Sequence, residues 1–347
     1  MVAVWATVTL SLAWAMTGLI RQYALRRSMV DVPNHRSSHT IPTPRGGGLA
    51  IVLAMVTAWG LMPVIGLGQP GSWSIVGAAV GVALVGFIDD HRHVPAAVRL
   101  LGHAAAAVVI LWALGGLPAM VFAGVDLSVA PVGAILGGLI VAWWINLTNF
   151  MDGIDGIAGA HVVAVCLGGA WLNADAGSSL AQALGPLALA AATLGFLLWN
   201  WPPARIFMGD VGSGFVGAMI AVFTLQAGHV EADLAWAWMI LSGAFVVDAS
   251  VTLCFRVARR DRIAEAHRSH TYQHLATRWG RHREVTLLWT AVTLFWLLPC
   301  ALAVANGLID GWAGILIAYF PLIISAFWVQ WIVARQPRTF PDGMLRY

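Results

Sequence analysis

Gly81-Val82-Ala83-Leu84-Val85-Gly86-Phe87-Ile88-Asp89-Asp90 sets the pattern of the chain: an unbroken apolar run that stops at a pair of carboxylates. The run does not alternate every second residue, so it reads as a helix rather than a barrel strand. Two other polar clusters also adjoin apolar runs, Asn146-Leu-Thr-Asn149-Phe-Met-Asp152-Gly-Ile-Asp155-Gly156 and Gly209-Asp210. The composition extends this reading to the whole molecule. The 347 residues are 59% hydrophobic and only 10% charged, against about 25% charged in a soluble domain. So much apolar surface needs lipid as its solvent, and a bilayer core takes about 20 apolar residues per helix.

Eleven candidate spans follow: 2–20, 47–66, 73–88, 98–115, 132–147, 157–173, 183–199, 213–228, 235–255, 286–305 and 312–333. Several are only about 16 residues, short for a bilayer crossing. The predicted fold is an all-α integral membrane protein, a single polytopic domain over 1–347 with about eleven transmembrane helices. Threaded in order, one side receives the loops near 21–46, 89–97, 148–156, 200–212 and 256–285, and all 19 basic residues, every one an arginine. The other side holds only acids: Asp126, Asp175, Glu231, Asp233 and Asp310. Arginine marks the cytoplasmic side, so the polar clusters are expected to face the cytoplasm. The partition makes the lipid bilayer, not nucleic acid, the macroscopic partner. A secondary transporter is the rival class, but transporters place acids near mid-bilayer in repeated halves, and no repeat is visible here.

The absence of lysine excludes a P-loop or a Schiff base, and leaves phosphates to arginine, histidine, backbone N–H or metal. Cys166, Cys254 and Cys300 are too scattered for a metal or disulfide pattern. Asp89 and Asp90 suit a metal neighbour or a general base. Asn146, Asn149, Asp152 and Asp155 recur every third residue, with Gly153 and Gly156 allowing close approach of a ligand. Oxygen-only donors at this density suit a hard cation such as Mg²⁺. Gly209, Gly212 and Gly214 around Asp210 form an open backbone whose N–H groups can face an anion. Arg45, beside Gly46-Gly47-Gly48, suggests the close approach of something negative. His267, His270 and His274 at i, i+3 and i+7 are expected to share a face of a surface helix within 259–279, and with Arg268 they suit phosphate better than zinc. Asp248 lies inside an apolar run, where an acid is either functional or bonded to a neighbouring helix.

In the order and wording of these motifs the chain resembles the polyprenyl-phosphate N-acetylhexosamine-1-phosphate transferases. The matching stretches are Pro42-Thr-Pro-Arg-Gly-Gly-Gly-Leu-Ala50, Gly86-Phe-Ile-Asp-Asp90, Asn146 to Ala158, Phe207-Met-Gly-Asp-Val-Gly-Ser-Gly214 and His267-Arg-Ser-His270. The first and last are closer to the O-antigen-initiating branch than to the peptidoglycan branch. The resemblance implies a cytoplasmic-side cleft, in which a sugar 1-phosphate passes from a UDP-N-acetylhexosamine to undecaprenyl phosphate with Mg²⁺, or Mn²⁺ as the alternative. It implies Asp210 and Asn149 as metal ligands, and Asp89, Asp90 and Asp210 as the catalytic acids, with Asp89 deprotonating or orienting the lipid phosphate. It further implies Arg45, Asn146, Asp152, Asp155, His267, Arg268 and His270 as substrate-binding groups. Relatives use a first-loop lysine that is absent here; Arg36, His39 or Arg45 is the expected substitute. A homodimer is compatible with this reading.

Overall fold

A computed structural model describes residues 2–27, 29–33, 41–67, 72–92, 94–261 and 267–335. In chain order the helices are α1 Val2–Arg26, α2 Gly48–Leu61, α3 Ser72–His91, α4 Ala96–Leu114, α5 Val132–Phe150, α6 Ile157–Asp175, α7 Leu180–Asn200, α8 Asp210–Val230, α9 Ala232–Leu241, α10 Gly243–Ala258, α11 Thr271–Trp279, α12 His282–Val292, α13 Leu298–Ala305 and α14 Gly311–Arg335. α12 runs into α13 through one π turn, Thr293–Leu297, next to Pro299, which has no backbone N–H to give. A 3₁₀ turn, Pro63–Ile65, follows α2, and two short pairings complete the described structure: β1 (Val30–Asp31) with β2 (Thr43–Pro44), and β3 (Val121–Phe122) with β4 (Val125–Asp126).

Among the described residues nine helices are long and apolar enough to cross a membrane, and α9 with α10, bent by 69°, passes the same test only as a pair, a broken span or a re-entrant loop. α2 is apolar but only 14 residues long. Each expected span is therefore helical, in one piece or two, and the protein is an all-α, multi-pass membrane protein. Two expectations change. Most of the runs read as short are full-length helices, because the backbone continues through the polar residues: Asp89, Asp90, Asn146, Asn149 and Asp210 all lie inside terminal helical turns. The expected single span 235–255 is broken at Ser242. The ring of Tyr319 fills the corner left by Gly243, where a Cβ would come within 2.5 Å of it, and its hydroxyl donates to the Met239 carbonyl oxygen.

α8 is the central helix, 94% buried along its crossing. Small residues let its neighbours approach to backbone contact, as membrane helices require when lipid offers no hydrophobic drive between them. A Cβ at Gly86 on α3 would fall 2.2 Å from the Asp210 carbonyl oxygen; one at Gly48 on α2 would fall 2.3 Å from Gly212 Cα. The glycines that sequence alone assigned to ligand approach at Gly48 and Gly212 thus serve helix packing. Gly86→Ala is expected to lower stability by about 1–3 kcal/mol through overpacking, while Gly77→Ala on the same helix, with nothing within 4 Å, leaves it nearly unchanged. Thermal unfolding of the detergent-purified variants checks this.

Candidate active site

The end of α3, the end of α5 and the start of α8 meet at one end of the bundle. The Asp89 carboxylate accepts the Val94 backbone N–H at 2.6 Å and Arg99 Nη1 at 2.5 Å. The same guanidinium nitrogen lies 3.3 Å from Asp210 Oδ2. Asp210 Oδ1 accepts the Asn149 amide at 2.8 Å, and that amide also reaches Ser213 Oγ at 3.1 Å. Asp89, Asn149 and Asp210 therefore form one basin, as their positions at helix ends predicted. Arg99, which the sequence presented only as a topology marker, is the cation between its two acids. The available signal was its place ten residues after Asp89, in the first turn of a span.

Asp90 faces another way. It is 6% exposed, and its two carboxylate oxygens accept the backbone N–H groups of Asp210 and Val211, each at 3.2 Å. The anion that the glycine-rich turn awaits is thus a side chain of the same protein, set against the positive end of the α8 dipole. Gly209, at φ +75, makes the turn; a Cβ there would strike the carboxylate at 2.6 Å. Arg45 donates to the Asp90 carbonyl oxygen, at the negative end of α3. Arg36 and His39 lie outside the described residues.

The four residues at spacing three do not share one face, because α5 ends at Phe150. Asn146 and Asn149 are on the helix; Asp152 and Asp155 are in the turn beyond it. Burial, with the carboxylates of Asp210, Asp90 and Asp155, pushes the Asp152 carboxyl well above the usual range. Asp155 is occupied as a pin: Oδ2 accepts the Ala204 N–H at 3.1 Å and Oδ1 lies 3.3 Å from His282 Nδ1. Gly153 admits the Tyr272 hydroxyl, 2.2 Å from a built Cβ, rather than a ligand.

His267 and His270 also depart from the expected helix face, because α11 begins only at Thr271. Asp248 explains the start point. Its carboxylate, 3% exposed, accepts the N–H of Thr271 at 2.8 Å and of Tyr272 at 3.0 Å, satisfying two of the helix's free donors. His270 is buried, its ring 6.2 Å from that of Phe150, the residue after Asn149. His267 stacks on His270 at 4.9 Å, and Arg268 donates to Thr277 Oγ1 at 3.1 Å. The expected surface helix over 259–279 is thus confined to α11 in the described residues; 262–266 lie outside them.

No group of three or more His, Cys, Asp or Glu side chains able to hold a metal occurs among the described residues. The Asn149 amide meets Asp210 through its nitrogen, so the oxygen donors of this pair are the Asp210 carboxylate and the opposite end of the Asn149 amide, a small donor set of the kind a hard cation takes together with phosphates and water. His103 was not anticipated: it lines the recess shared by Arg99, Asn146, Asn149 and Asp210.

Burial, with His270 and Arg256 nearby, pushes the His267 imidazole down to about 3 from 6.5. Its contribution to stability is therefore complete above pH 6.5 and is lost as pH falls toward about 3. The melting temperature should decline across that window, and less so in His267→Gln.

Comparison with known proteins bears on the same residues. The profile described as glycosyl transferase family 4 matches residues 72–228. The chain is 30% identical over 313 residues to a decaprenyl-phosphate N-acetylglucosaminephosphotransferase of Mycobacterium tuberculosis, covering 80% of this chain and 77% of the relative. It is 28% identical over 290 residues to a probable undecaprenyl-phosphate N-acetylglucosaminyl 1-phosphate transferase of Bacillus subtilis, covering 81% and 79%. It is 30% identical over 258 residues to a phospho-N-acetylmuramoyl-pentapeptide-transferase of Kocuria rhizophila, covering 59% and 67%.

Proposed function

The chain belongs to glycosyl transferase family 4, and we propose that it transfers an N-acetylhexosamine 1-phosphate from a UDP-sugar to undecaprenyl phosphate, releasing UMP. The observation that carries this reading is the convergence of Asp89, Arg99, Asn149 and Asp210 at one end of the membrane bundle. The names of the relatives from Mycobacterium tuberculosis and Bacillus subtilis favour N-acetylglucosamine as the sugar. The product is a lipid-linked sugar diphosphate, the starting unit of an envelope polysaccharide such as O-antigen.

In the reaction, an oxygen of the acceptor phosphate bonds to the phosphorus that carries the sugar, and the bond from that phosphorus to the UMP oxygen breaks. Both substrates are anions, so the protein's task is alignment and charge neutralisation. Arg99, held by Asp89, meets the acceptor phosphate and orients it. Asp210 and Asn149 would hold Mg²⁺, or Mn²⁺, which neutralises charge on the donor diphosphate when bound. Asp152 and the His267–His270 loop flank the nucleotide and sugar. Asp90 acts through the helix it caps, not by touching substrate. The acceptor's hydrocarbon tail remains in lipid, which is why the acids belong at helix mouths. The arginine partition supports a basin opening to the cytoplasm of a bacterial inner membrane.

Purified protein supplied with UDP-N-acetylglucosamine, undecaprenyl phosphate and Mg²⁺ should release UMP and form the lipid-linked product, read by mass. Asp210→Asn should lower turnover by at least about 100-fold with its unfolding temperature retained. Full activity in that variant would overturn the role of Asp210, and no UMP from any UDP-sugar in a broad panel would overturn the reaction.

A further inference from the structure

His103 lies on α4 one turn beyond Arg99 and lines the recess that also contains Asn149 and Asp210. In the sequence it is one polar residue before an alanine run, and the function stated above gives it no part. Its hydrogen bonding, however, defines its chemical state. The Asn146 amide nitrogen lies 2.7 Å from the Ala142 carbonyl oxygen, one turn back on α5. A carbonyl only accepts, so this contact fixes which end of the Asn146 amide carries the N–H groups. The same nitrogen lies 3.2 Å from His103 Nδ1. An amide nitrogen donates and does not accept, so Nδ1 must offer its lone pair. The imidazole is therefore neutral, and its proton is on Nε2. Among the described residues Nε2–H has no acceptor of its own.

The chain Ala142 carbonyl, Asn146 amide and His103 imidazole thus ends in an N–H donor beside the Arg99 guanidinium. Asn146, expected to bind substrate itself, uses its amide nitrogen to set the tautomer. A neutral donor next to a fixed cation suits an anionic oxygen, and it adds direction where the guanidinium adds charge.

Resting on the transferase reading above, we propose that His103 donates a hydrogen bond from Nε2 to a phosphate oxygen of a substrate, with Asn146 as the positioning residue that selects the tautomer. The phosphate belongs either to the acceptor lipid or to the donor diphosphate, and separate titrations distinguish them.

The test measures steady-state turnover of parent, His103→Leu, His103→Gln, Asn146→Asp and the His103→Leu/Asn146→Asp pair. UDP-N-acetylglucosamine and undecaprenyl phosphate are varied independently, and unfolding temperature is recorded for each protein. His103→Leu should lower kcat/KM for one substrate by about tenfold to a hundredfold, the range for a lost hydrogen bond to a charged group. A rise in KM for the lipid assigns the contact to the acceptor; a rise for the nucleotide sugar assigns it to the donor. His103→Gln, which keeps an N–H donor, should recover part of the loss. Asn146→Asp, assayed at alkaline pH where the new carboxylate does not leave the imidazole doubly protonated, replaces a donor with an acceptor, draws the imidazole proton to Nδ1 and presents a lone pair to the phosphate. Its loss should match that of His103→Leu, and the double variant should be little worse than either single one. Folded His103→Leu within twofold of the parent for both substrates overturns the contact. If His103→Leu does not fold, an Asn146→Asp protein with parental kinetics overturns it instead. Multiplicative losses in the double variant overturn the tautomer link. A parent that turns over no UDP-sugar removes the transferase reading itself, an outcome separate from these.

Discussion

The contact between the last turn of α3 and the first turn of α8 is the constraint on which the rest of the site depends. Gly86 removes the side chain that would keep the two backbones apart, and Asp90 then spans the gap to two free N–H groups of α8. Without that approach Asp89 and Asp210 could not share one guanidinium. The contact also settles the division of labour between adjacent acids. Successive residues on a helix point about 100° apart, so when Asp90 turns into the protein Asp89 turns toward Arg99.

A second buried acid repeats this arrangement in another part of the fold. Asp248, on the bent half-span α10, caps α11 and so fixes where the His267–His270 loop ends. Gln330 of α14 closes the loop from behind, donating to Thr252 Oγ1 at 3.2 Å and to the Ser269 carbonyl oxygen at 2.5 Å. In both places a carboxylate that looks chemically active in the sequence is spent on helix termini. Both remove buried, unpaired donors, which are expensive in a medium without water.

The order of spans was legible because hydropathy reports directly which segments cross lipid. The meeting of Asp89, Asn149 and Asp210 was legible because alternating crossings bring those three ends to one face. What stayed hidden was orientation around each helix axis. Nothing in the local sequence distinguishes an aspartate facing a cleft from one capping a neighbour, so Asp90 and Asp248 could not be separated from Asp89. Glycine permits close approach without naming what approaches: at Gly48 it is Gly212, and at Gly153 it is Tyr272. Arg99 was obscured by the rule that arginines mark the cytoplasmic side, and His103 by the alanine run it precedes. The histidine spacing misled for a different reason, since a cap from a distant helix, not local periodicity, decides where α11 starts.

The brevity of α2 carries a consequence for the surrounding lipid. Fourteen residues rise only about 21 Å, against a hydrocarbon layer of about 30 Å. Its first turn is fastened to Gly212, beside Asp210, so the shortfall cannot be relieved by sliding the helix. The shortfall falls at the opposite end, where the 3₁₀ turn Pro63–Ile65 extends the apolar segment toward the other leaflet. A phosphate tethered to a long hydrocarbon therefore meets the acids at a depth fixed by protein packing, and variation in membrane thickness is taken up at the far end of the helix.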